Sequence, residues 1–357
     1  MSQVSLFRRL ISRYLIDGLS GMALGLFSTL IIGLIIKQIG AGLGGSLGAM
    51  LIQIGSIALV TTGAGIGVGV AHKLRAANLI IYASAVTGMF GAYAGKILEG
   101  SVLMGGAVHL AGPGEPLGAF IATLVGIEMG RLVFGKTRLD IVITPMVTLI
   151  SGGLVAIFIG PPIGTFMTYM GDIILFATQQ RPLGMGVIIS VFMGIFLTLP
   201  ISSAAISIIL GLKGLAAGAA TAGCSAQMVG FAVASYRENK INGLLAQGLG
   251  TSMLQMPNIV KNPKIWIPAI VASAITGPIA TVLFNMENNP SGGGMGTSGM
   301  VGQIMTWTTM IGTQSPVILF VKIALIHFIF PAIIAFAVSE WLRRIGWIKS
   351  GDMRLEP

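Results

Sequence analysis

Only eleven Asp and Glu side chains, three histidines and one cysteine occur in 357 residues, so every group able to do acid–base or metal chemistry can be weighed singly. Six carboxylates, Asp17, Asp140, Glu238, Glu340, Asp352 and Glu356, lie beside basic residues at the edges of apolar runs, and solvated interface charge accounts for them. Glu115 and Glu287 stand apart. Each lies in a Gly- and Pro-rich interruption between two apolar runs, away from any basic cluster. Asp172 falls inside an apolar run and is a weaker pathway candidate.

The first interruption, 105–116, reads GGAVHLAGPGEP. Its two prolines and four glycines forbid a regular helix. Pro116 then suits the first turn of the next helix, whose N-terminus offers free N–H groups. Glu115 and His109 would supply directional polar groups to a solute there. The alternative is a surface loop with a helix-capping glutamate. The second interruption, 285–299, reads NMENNPSGGGMGTSG. Asn285, Asn288 and Asn289 offer amides, Glu287 a carboxylate, and Thr297 and Ser298 hydroxyls. Amides and carboxylates make paired hydrogen bonds to hydroxyl-rich solutes, and glycine lets backbone approach a ligand closely. The apolar stretch 300–311 that follows suggests a re-entrant helix rather than a flexible exterior loop.

Other patterns carry less. His72, His109 and His327 lack metal-ligand spacing, so no metal and no cofactor is expected. Cys224, set among Ala, Gly and Ser, reads as a small packing residue. Gln227, one helical turn later, either lines a solute path or bonds a neighbouring helix. The Gly63-Ala64-Gly65-Ile66-Gly67-Val68-Gly69 run has Gly-x-Gly spacing but no strand–turn–helix context for a dinucleotide. Gly21/Gly25, Gly91/Gly95 and Gly126/Gly130 have the small-xxx-small spacing of close helix contacts.

The elements that position these residues follow from composition. Hydrophobic residues make up 54% and charged residues 9% of the chain, against about 25% charged in soluble domains. Mean hydropathy is +0.91. Thirty-two charges cannot coat a soluble surface of this size, which excludes a soluble enzyme and a disordered chain. A spanning helix needs about 20 apolar residues, and continuous runs without alternation argue against a β-barrel. The expected fold is an all-α polytopic membrane protein of about ten transmembrane helices with re-entrant hairpins. Spans are expected near 19–36, 47–70, 77–95, 116–130, 141–160, 163–178, 184–210, 214–235, 265–284 and 316–338. The domain reading is an amphipathic cytoplasmic helix over 1–17, with Arg8, Arg9 and Arg13 near Leu6 and Leu10, then one membrane domain over 18–339 and a basic tail over 340–357.

The net charge of +10 is scattered between apolar runs, giving no basic face for nucleic acid. With the N-terminus cytoplasmic, seventeen of the 21 basic residues fall on the inner side, as the positive-inside rule requires. Both termini are therefore expected in the cytoplasm of a bacterial inner membrane, with Trp341 and Trp347 in an interfacial belt.

Three stretches resemble the membrane subunit IIC of the phosphoenolpyruvate-dependent sugar phosphotransferase system, and its free-standing branch that includes the toxin regulator PfoR. They are Thr144-Pro145 through Ile159-Gly160-Pro161-Pro162-Ile163-Gly164, the run Gly112-Pro113-Gly114-Glu115-Pro116-Leu117-Gly118, and 285–299. The resemblance implies a homodimer, re-entrant hairpins around a sugar site, and a hairpin Glu before Pro that hydrogen-bonds the sugar with help from a His. Glu115-Pro116 matches that motif locally but precedes the Gly-Pro run instead of following it. Glu287 has the expected late position, with Asn288 in place of the Pro. The soluble remainder is too short to fold as a IIA or IIB domain, so such partners would be separate proteins.

The leading expectation is therefore a permease, not an enzyme, that binds a small polar solute, a sugar or sugar-like metabolite, between the two interruptions and moves it by alternating access. The alternative is a membrane-embedded sensor that binds a ligand and signals without transport.

Overall fold

The computed structural model describes residues 11–355. The N-terminal amphipathic helix expected over 1–17, with its Leu6, Arg8, Arg9 and Leu10, lies largely outside the described residues, as does Glu356. The described residues fold as two compact units, divided between Phe166 and Met167. Helix dominates both. Among the described residues six helices are long and apolar enough to cross a membrane, and a bent pair makes a seventh.

In the first unit, α1 (Ser12–Leu43) turns at Gly44 and Gly45, both at positive φ, into α2 (Gly45–Val60). α2 bends by 53° into α3 (Thr62–Lys73). This bent pair covers the single span expected over 47–70. α4 (Asn78–Ala92), the short α5 (Ala94–Leu98), a hairpin of β1 (Leu103–Met104) and β2 (Ala107–Val108), and α6 (Pro116–Val133) follow. The glycine run in α3 explains the close packing here. A methyl group on Gly65 would sit 2.7 Å from the Gly25 carbonyl oxygen of α1, and one on Gly67 1.9 Å from the Ser84 oxygen of α4. Alternate glycines thus let α3 press against two helices at once, in the manner of small-residue membrane interfaces. Gly21 and Gly91 lie in similar contacts, whereas Gly95 faces open space.

The segments 141–160 and 163–178 form one helix, α7 (Asp140–Thr178), that runs through Pro161 and Pro162 and carries the chain from the first unit into the second. Each proline removes one N–H donor and crowds the carbonyl four residues earlier, and spanning helices tolerate this.

The second unit continues with α8 (Pro182–Thr198), which stops earlier than the expected 184–210. Leu199, forced to extended backbone (φ −69°, ψ 159°) before Pro200, ends it. α9 (Ser203–Ile209), α10 (Gly214–Ala234), α11 (Tyr236–Leu245), α12 (Met256–Lys261), α13 (Pro263–Leu283), α14 (Pro290–Gly293), α15 (Val301–Met310) and α16 (Pro316–Arg344) complete the chain. α10 is the axis of this unit, with 89% of its most apolar stretch buried, against 28% for α16. Its Ala- and Gly-rich sequence permits this. A methyl group on Gly223 would lie 1.9 Å from the Ser190 oxygen of α8.

Ion pairs join helices within each unit. Glu128 of α6 accepts from Arg13 of α1 at 2.8 Å and from Arg131 at 2.6 Å. In the second unit Glu238 pairs with Arg343 at 2.9 Å, and their side chains are 6% and 11% exposed. Glu238 is thus a buried partner rather than the solvated interface charge expected of it. Residues 347–355 fold back onto α11 and α12. Asn239 donates to the Met353 carbonyl and accepts from the Leu355 N–H, both at 2.8 Å, while Asn258 donates to the Arg354 carbonyl at 2.9 Å.

Candidate solute-binding site

The two interruptions adopt opposite structures. In the first, chain leaving α5 makes the β1–β2 hairpin, whose residues 103–109 are all exposed. His109 is among them, its backbone N–H donating to the Val102 carbonyl at 2.8 Å. The return strand is tied down near α4. The Tyr93 hydroxyl bonds the Gly112 carbonyl, and Lys96 donates to the Ala111 carbonyl at 2.7 Å. Gly114 (φ 72°) passes the end of α4 so closely that a methyl group there would lie 2.7 Å from the Ala92 oxygen. Glu115 then donates its backbone N–H to that same oxygen at 2.7 Å. Glu115 is the half-buried residue preceding Pro116 and its side chain makes no capping bond to α6.

The second interruption is a buried, hydrogen-bonded core. α13 ends in a π-turn (Ile279–Leu283), and Lys322, from inside the apolar α16, donates to the Phe284 carbonyl at 2.9 Å. A cation belongs at this carbonyl end of a helix. Asn285 (φ 47°) turns the chain in the left-handed conformation that Asn tolerates. Met286 is fully buried, with its carbonyl so close to α10 that a methyl group on Gly218 would lie 1.9 Å away.

Asn288, 1% exposed, anchors the segment. Its backbone pairs with Gly214 through bonds of 3.0 and 3.2 Å. Its side-chain amide reaches Thr221 Oγ1 at 2.7 Å and the Gly302 carbonyl and Thr306 Oγ1 at 3.0 Å, while its Oδ1 accepts the Asn289 N–H. Asn289 caps α14 by accepting from the Ser291 and Gly292 N–H groups at 3.1 Å, and donates to Thr309 at 3.2 Å. Thr297 donates to the Met228 sulfur, and Ser298 is buried. Asn285 and Glu287 are the exposed polar groups of 285–289, carried on this scaffold.

Gln227 lies on the opposite side of the α10 axis, in a bonded cluster. Its Oε1 accepts from Trp266 Nε1 at 2.9 Å and Thr198 at 3.3 Å, and its Nε2 donates to Ser273 at 3.3 Å. Of its two readings, the helix-bonding one describes these contacts. Cys224 is buried and donates to the Met193 carbonyl. Asp172 is exposed on α7.

The structure therefore makes buried Asn288 and half-buried Asn289 a hydrogen-bonded scaffold with Asn285 and Glu287 at its surface, while Thr297 and Ser298 are buried further along the same interruption. Glu115 and His109 belong to the first unit. Lys322 escaped sequence reasoning as a contributor, although an ammonium inside an apolar span is itself a signal.

These features define a polytopic helical membrane protein whose second unit contains a polar segment of broken helix. The family model for the phosphotransferase system, EIIC, matches residues 16–355. The chain belongs to that family, and the matched region is the system's membrane permease part rather than a phosphotransfer domain. No curated protein matches the chain.

Proposed function

We propose that the protein binds and translocates a small polar solute, a sugar or sugar-like metabolite, by alternating access. The observation carrying this reading is the arrangement at 285–289, where Asn285 and Glu287 stand exposed on a scaffold fixed by Asn288 and Asn289. A rigid mount with a carboxylate and an amide at its surface suits bidentate recognition of vicinal hydroxyls. Glu115 and His109 are further contacts to be tested, each by itself. Asn288, Asn289, Thr297, Ser298 and Gln227 act as supports.

In this reading, residues 18–339 work as one membrane domain in the bacterial inner membrane, with both termini cytoplasmic. In this reading the protein is a homodimer, and separate IIA- and IIB-like proteins are its candidate cytoplasmic partners. Uptake of a labelled hexose and pentose panel into proteoliposomes tests the function. Glu287→Gln should abolish uptake of the transported member with folding intact. A panel without uptake, or uptake indifferent to Glu287→Gln, contradicts it.

One observation favours the sensor reading instead. Residues 347–355 are held by the side-chain amides of Asn239, Gln255 and Asn258 much as a bound peptide would be, which gives a ligand signal an output element. Ligand binding without uptake, together with a co-purifying cytoplasmic protein, would select that reading.

A further inference from the structure

Two opposite charges flank one turn of the second unit. Met286, Met310, Leu319 and Ile323 share a buried cluster, with Phe284 packed against it. The cluster sets the turn 284–287 against the start of α16, where Lys322 lies about 9 Å along the helix from Pro316. The half-buried Lys322 uses one of its three N–H donors on the Phe284 carbonyl, at 2.9 Å. Three residues after Phe284, Glu287 donates its backbone N–H to Met310 Sδ at 3.2 Å and leaves its carboxylate exposed. Among the described residues neither the ammonium nor the carboxylate has an ion-pair partner, whereas Glu128, Glu238 and Glu340 all do.

A carbonyl at a helix end needs a donor, not a full charge. A charge inside an apolar span is costly, and one without a counter-charge marks a functional position. Lys322 and Glu287 therefore share one requirement, a partner from outside the chain.

We propose that Lys322 and Glu287 are the two poles of a charge-selective solute site, and that its preferred solute is a zwitterion, a hydroxylated amino acid of the amino-sugar-acid kind. The remaining donors of Lys322 take the solute carboxylate, and Glu287 accepts from the solute ammonium. Both poles are then paired, so water can leave the site with no net charge left behind. Asn285, the other exposed polar side chain of the turn, serves hydroxyls through its amide. A neutral sugar reaches the same groups by hydrogen bonds alone and binds more weakly. A sugar acid or an amino sugar satisfies one pole and adds an unbalanced charge. A phosphate ester brings nearly two negative charges against a single ammonium. As the substrate class of transport this rests on the permease reading, whereas binding at the two poles does not.

The test is equilibrium binding to the full chain in lipid nanodiscs of four six-carbon probes: glucose, glucosamine, gluconate and glucosaminate. Glucosaminate should bind about tenfold or more tightly than each of the others. Lys322→Gln keeps a donor for the Phe284 carbonyl and removes the charge, so it should erase the preference for glucosaminate over glucosamine. Glu287→Gln should erase the preference for glucosaminate over gluconate, and Lys322→Arg should retain both preferences. No preference for glucosaminate in the wild type, or a preference that neither Gln variant alters, overturns the site. Glucosaminate binding without uptake into proteoliposomes keeps the site and removes transport. Glucose uptake with no charge preference keeps transport and overturns the site.

Discussion

The two Gly/Pro-rich interruptions look alike as sequence and differ completely as structure. In 103–109 the backbone bulges outward as an exposed hairpin, and methyl groups on Gly105, Gly106 or Gly112 would meet nothing within 4 Å. In 288–302 the glycines are packing devices. A methyl group on Gly294 would lie 2.3 Å from the Ser203 oxygen, and one on Gly302 2.2 Å from the Gly296 oxygen. The difference lies in what accompanies the glycines. The second segment has Asn288 and Asn289 to satisfy backbone and side-chain groups internally, so it can be buried at membrane depth without unpaired polar backbone. The first lacks such amides, and the only polar side chain among its exposed residues 103–109 is His109.

Substitutions can break this contrast, the largest effect first. Asn288→Ala removes one of several bonds from each of Thr221, Thr306 and the Gly302 carbonyl and takes the acceptor from the Asn289 N–H, so a loss of about 4 kcal/mol is expected from the bonds lost together. Thermal unfolding in nanodiscs should show it as a large drop in Tm, and a wild-type Tm would show that Asn288 is not the anchor. Gly218→Ala forces a methyl group into the Met286 carbonyl, an overpacking of about 3 kcal/mol. It should also perturb the Glu287 environment, which an unchanged uptake or ligand affinity would refute. Lys322→Met removes the charge at the end of α13, with a loss of about 2 kcal/mol for a charge-assisted bond. Lys322→Arg should restore part of it; equal Tm values for both variants and wild type would contradict the assignment. Gly105→Ala meets only the strain of its positive φ, about 1 kcal/mol, and should leave uptake unchanged.

Much of the fold was legible because apolar runs bounded by Gly, Pro and charge map directly onto spanning helices. α4, α6, α10 and α13 lie close to their expected limits. α7 was not legible as one helix, because Pro161-Pro162 reads as a stop and only a spanning helix's tolerance of missing donors lets it continue. α8 ended early for the local reason that Leu199 precedes a proline. At the site, the polar residues of 285–299 stood out by type, but spacing could not tell that Asn288 faces inward while Glu287 faces outward. That alternation is set by the pairing of Asn288 with Gly214, 74 residues earlier in the chain.

The central claim is that 285–289 presents Glu287 to an aqueous solute path while Asn288 is locked in the core. Single-cysteine labelling reads this directly, since the native Cys224 is buried. Cysteine at 287 should react with a water-soluble, membrane-impermeant maleimide and be protected by the transported solute, while cysteine at 288 stays unreactive in folded protein. A cysteine at 287 that reacts only with lipid-partitioning reagents, or equal labelling at 287 and 288, would contradict the account.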